Sequence, residues 1–150
     1  MKQTIAWIGG DNHQGDILRK LAKQYRLLWV RRKEDQQTAP FHDIPESEVE
    51  VLECAKEGCW EADIIVLAGD ALEDELLEKI RDVATQKIVL LISSDDKDNQ
   101  EEKLAQIRAA LPFSKIVAAN LHSGETWLSG DNSAALSTAS EMLRRLGCET

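Results

Sequence analysis

The chain opens on a strand, a glycine-rich turn and a helix, in that order. Thr4-Ile-Ala-Trp-Ile8 is almost wholly apolar, as in a parallel strand covered on both faces. Gly9-Gly-Asp-Asn-His-Gln-Gly15 follows it, and an amphipathic run begins at Asp16. Glycines let a backbone turn tightly and come close to a ligand. A helix N-terminus offers unpaired N–H groups and partial positive charge. Strand, glycine turn and helix together predict a cradle for a pyrophosphate, and with it a dinucleotide-binding α/β fold.

The rest of the chain repeats the alternation. A helix is expected over about Gly15–Gln24, with Ile17, Leu18, Leu21 and Ala22 as its apolar stripe. Strands are expected over Arg26–Val30, Asp63–Ala68, Lys87–Ile92 and Lys115–Ala119, with a short one near Thr126–Ser129. Ser47-Glu-Val-Glu50 reads as a capping box opening a helix to about Glu57. Further helices are expected after Asp70, over Glu101–Leu111 before Pro112, and over Ser133–Leu146 before Gly147. Alternating strands and helices give a Rossmann-like, doubly wound, mostly parallel sheet with helices on both faces. Residues 1–150 read as a single domain.

Charge narrows the partner. Residues 1–40 hold eight Lys/Arg against four Asp/Glu, or +4. Residues 41–150 hold ten against twenty-three, or −13, and the two sum to −9. An acidic body argues against nucleic acid. The basic N-terminal part, carrying the glycine turn, suits a small phosphorylated ligand. No apolar run is long enough to span a membrane, and no signal peptide is evident, so a cytoplasmic protein is expected. Cys54, Cys59 and Cys148 are an odd count without metal-site spacing, and read as reduced thiols.

Gly9, Gly10 and Gly15 sit where close backbone approach is wanted, and Asn12 tolerates left-handed backbone. Asp11 either repels the pyrophosphate or turns away to cap the helix. His13 and Gln14 complete the loop. Arg31 lies 22 residues after Gly9, and no acid occupies positions 29–33. An acid there would hold the ribose 2′-hydroxyl of NAD; Arg31 and Arg32, followed by Lys33, suit the 2′-phosphate of NADP instead. The loops after strands three, four and five are expected to face the nicotinamide. They hold Ala68-Gly-Asp70, Ser93-Ser-Asp-Asp96 and Asn120-Leu-His-Ser123. His122 is the histidine expected near the reactive ring, although hydride transfer itself needs no protein acid or base.

These segments resemble the deazaflavin-coenzyme-dependent NADP reductases and their NADP oxidoreductase relatives. That family's loop reads Gly-Gly-Thr-Gly-x-x-Gly. Gly9, Gly10 and Gly15 match, while Asp11 and Asn12 depart. Its Ser-Arg-Arg cluster is matched by Arg31 and Arg32, with Val30 in place of the serine. Lys115–Ser123 and Gly130-Asp-Asn132 are also similar to family segments. The resemblance implies NADP(H) as cofactor, hydride exchange with a flavin- or deazaflavin-like acceptor, and a homodimer. Its dinucleotide half carries over better than its deazaflavin half. The alternative is a non-catalytic nucleotide-sensing or interaction domain on the same fold, which Asp11 favours.

Overall fold

A computed structural model describes residues 3–8, 23–30, 49–52, 54–68, 74–93, 100–122, 125–130 and 132–145. Seven strands form one sheet: β1 (Thr4–Ile8), β2 (Arg26–Val30), β3 (Val49–Leu52), β4 (Ile64–Ala68), β5 (Ile88–Ser93), β6 (Lys115–His122) and β7 (Glu125–Gly130). Their order is β3-β2-β1-β4-β5-β6-β7. Every neighbouring pair is parallel except β6–β7, which is antiparallel. Four helices are described: α1 (Ala55–Glu61), α2 (Asp74–Ile80), α3 (Gln100–Ala110) and α4 (Ser133–Arg145).

Both sheet faces are covered, which explains the near-continuous apolar strands. On one face Ala6, Ile8, Ile65, Leu67, Val89 and Leu91 pack against Cys59 of α1, Leu76, Leu77 and Ile80 of α2, and Leu104 and Ile107 of α3. On the other, Ile5, Trp7, Leu27, Trp29, Val66, Leu90 and Val117 pack with Ala135, Ala139 and Met142 of α4. Asn132 caps α4: its Oδ1 accepts from the Ala135 amide at 2.9 Å.

The expected fold class is the observed one, with one element reassigned. Val49–Leu52, expected inside a helix from Ser47, is a strand parallel to β2 with Leu27 opposite Val49 and Val30 opposite Leu52. The helix begins only at Ala55. Ladder bonds to β2 outweigh the local capping signal, because four residues of Val-Glu-Val-Leu fit a strand as well as a helix turn. The sequence helix over 15–24 lies mostly outside the described residues; Lys23 and Gln24 are helical.

Candidate functional site

The carboxyl edge is built from strand order and register. From β1 the chain winds outward through β2 and β3; from β4 it winds the other way through β5 and β6. The direction reverses between β1 and β4, and an open α/β sheet forms its binding crevice at such a reversal. Ile8, the last residue of β1, lies opposite Val30, the last residue of β2, and opposite Leu67 of β4. The two segments picked out by sequence therefore follow adjacent strand ends at one edge. Gly9, Gly10, Asp11, Asn12, His13, Gln14, Gly15, Arg31 and Arg32 themselves lie outside the described residues.

The platform beneath that edge is buried. Ile5 through Ile8 are fully buried, and Trp7 pairs in register with Trp29. At the crevice side, α1 rides close on β2. A Cβ built on Gly58 would stand 2.8 Å from Val30 Cγ2 and 3.5 Å from Leu52 Cδ1. Only glycine allows this approach, and nothing in the linear sequence marks Gly58 as different from any helical glycine.

His122 is the final residue of β6, opposite Glu125 of β7. It was expected in a loop with Asn120 and Leu121. All three are strand residues instead, because β7 folds back and pairs with them. Ser93, also expected in a loop, closes β5 opposite Asn120. His122 thus stays at the carboxyl edge while the strand under it is longer than expected.

The described ionisable groups with shifted behaviour sit at the opposite, amino edge. Lys87 donates from Nζ to the Cys59 carbonyl and to the Trp60 carbonyl. These are orphan carbonyls of the last turn of α1, where a cation is favoured. Burial lowers the Lys87 pKa, against the pull of Cys59 and Asp63. Burial pushes the Cys59 thiol up to about 12, so it is no nucleophile at neutral pH. Asp63 closes the start of β1: its Oδ2 accepts from the Thr4 amide at 3.0 Å, and its own amide donates to the Thr4 carbonyl at 2.8 Å. Arg26 donates to both carboxylate oxygens of Glu50, at 3.2 and 3.0 Å, which together with Glu61 raise its pKa. No cluster of three or more metal-type ligands occurs among the described residues. No helix among them is long and apolar enough to cross a membrane.

No family model matches the chain, and no curated protein matches it in sequence. Solved structures do match in fold. A pyrroline carboxylate reductase from Plasmodium falciparum with NADP bound is 13% identical, with a TM-score of 0.67, over 97% of this chain and 56% of that one. A pyrroline-5-carboxylate reductase from Coxiella burnetii is 17% identical, with a TM-score of 0.71, over 99% and 58%. A 3-hydroxyisobutyrate dehydrogenase from Mycobacterium tuberculosis is 16% identical, with a TM-score of 0.67, over 97% and 52%. The chain spans little more than half the length of these proteins. At such identity the likeness shows the fold. That fold is the Rossmann-like α/β fold, and the likeness does not single out the deazaflavin-dependent family.

Proposed function

We propose that this chain is an NADP(H)-binding oxidoreductase domain that exchanges hydride with a flavin- or deazaflavin-like acceptor. One observation carries the reading: the parallel pairing of Ile8 with Val30, beside the reversal between β1 and β4. It starts the glycine-rich segment and the arginine pair one strand spacing apart, about 4.8 Å, on the edge where such sheets bind dinucleotides. The NADP-bound reductase among its structural neighbours supports the choice of cofactor.

A bound nicotinamide supplies the hydride; the chain supplies position. The backbone of Gly9, Gly10, Asn12 and Gly15 cradles the pyrophosphate, with His13 and Gln14 beside it. Arg31 and Arg32 hold the 2′-phosphate, where a guanidinium makes two parallel hydrogen bonds to a phosphate. His122, ending β6 on the same edge, orients the acceptor. Asp11 caps the following helix in this arrangement. If it faces the phosphates instead, the domain is a nucleotide sensor without turnover.

Titration with NADPH and NADH, followed by tryptophan fluorescence and calorimetry, tests the reading. NADPH is expected to bind more tightly than NADH. Arg31→Ala should weaken NADPH by about 10- to 100-fold, the value of one or two charge-assisted hydrogen bonds, and leave NADH nearly unchanged. Equal losses for both would remove the 2′-phosphate role. NADPH binding with no oxidation by any flavin-type acceptor would favour the sensor. Failure to bind either dinucleotide sinks both.

A further inference from the structure

We propose that Gly58 is a positioning residue for dinucleotide choice: its missing side chain lets β2 end where Arg31 can grip the 2′-phosphate. This role rests on the proposed NADP(H) site. Gly58 itself touches no ligand. It acts through Val30, the last residue of β2, after which Arg31 is the next residue in the chain.

The contact is a lever on that strand end. A Cβ on Gly58 would stand 2.8 Å from Val30 Cγ2, whereas ordinary contact begins at 3.4 Å. A side chain at position 58 must therefore open the gap by about 0.6 Å. Helix α1 resists moving away. Cys59, the next residue, is fully buried against the sheet. Lys87 holds the carbonyls of Cys59 and Trp60. The Gly58 carbonyl accepts from the Ala62 amide at 3.1 Å, and its amide donates to the Cys54 carbonyl at 3.2 Å. The Val30 side chain, buried and β-branched, changes rotamer only at a cost. What gives is the end of β2. Val30 is its last ladder position, between Ile8 and Leu52, and element ends open more readily than their middles. Close-packed interiors pass such a strain on rather than absorb it.

A displacement of this size decides between cofactors. A binding group must be held within about 0.5 Å of its productive geometry. Arg31 displaced beyond that loses one of two parallel hydrogen bonds to the 2′-phosphate, about tenfold in affinity. NADH has no 2′-phosphate, and its proposed hold is the glycine turn after β1, not the segment after β2.

Calorimetric titration of the full chain with NADPH and NADH tests the role, in the wild type, Gly58→Ala, Val30→Ala and the double variant. A wild type without preference for NADPH would sink the cofactor reading, and this role with it. Given that preference, Gly58→Ala should lose about tenfold for NADPH and little for NADH. Val30→Ala removes the methyl that Gly58 abuts, so β2 loses its stop against α1, and the loss should again fall on NADPH. Should Gly58→Ala fail to fold, Val30→Ala decides alone. The double variant moves a methyl from strand to helix and should regain most of the preference. A contact that serves stability only would shift the melting temperatures and leave the ratio of the two affinities at its wild-type value. That outcome, or equal losses for both dinucleotides, overturns the positioning role and leaves the cofactor reading standing.

Discussion

Lys87 performs for α1 what a capping side chain performs at other helix ends, but from a distant part of the chain. It stands just before β5, and its ammonium reaches the carbonyls of Cys59 and Trp60, so one side chain ties helix to sheet. Lys87→Met should cost about 1 kcal/mol at neutral pH, the net value of one ordinary hydrogen bond, read as a lower midpoint in urea. The pH dependence has a definite sign. Burial lowers the folded-state pKa below the ordinary 10.5. Between those two values the unfolded chain binds the proton more tightly, so this group's contribution rises with pH. It is complete above 10.5 and is lost as pH falls through the folded value. The wild type should therefore gain stability relative to Lys87→Met as alkaline pH approaches 10.5. A constant difference across that window would mean that the ammonium is not desolvated by the fold.

At the scale of elements, the tightest constraint is α1 against β2. Gly58 has no room for a Cβ beside Val30, whose branched side chain is restricted at χ1 and gives way only at a cost. Gly58→Ala gains up to about 1 kcal/mol of helix propensity but overpacks the contact by about 1–3 kcal/mol. A net loss near 1 kcal/mol is expected, relieved in the double variant with Val30→Ala; equal or higher thermal stability of Gly58→Ala would contradict it. Most elements are legible in the sequence because their signals are local. β1, β2 and α4 carry their own apolar period, and Asn132 caps the helix it precedes. β3 and the end of β6 are not legible, because each exists through a partner strand. Val49–Leu52 needs β2, and Asn120–His122 need β7. Of the candidate site, sequence alone picks out the glycine turn and the arginines, but that the strands before them end side by side follows from register. Gly58 is missed because its role depends on Val30, 28 positions away.

Across the whole molecule the two edges of the sheet divide the work. The amino edge holds the fastenings: Asp63 on Thr4, Lys87 on α1, Arg26 on Glu50. The carboxyl edge is left for the proposed ligand, so ligand and fold are coupled through the strands between them. NADPH at 100 times its dissociation constant should stabilise the native state by about 2.7 kcal/mol, raising the melting temperature by roughly 5–10 °C for a domain of this size. An unchanged melting temperature would show that the native state does not bind it. Trp7 and Trp29 give this molecule one more property. They lie side by side, each one residue short of the strand end from which the two proposed binding segments depart. Tryptophan emission overlaps the absorption of reduced nicotinamide, so this neighbouring pair of indoles forms a built-in optical antenna. Occupancy of the crevice by NADPH should be readable as quenching of the protein's own light with sensitised emission from the cofactor, with no label attached.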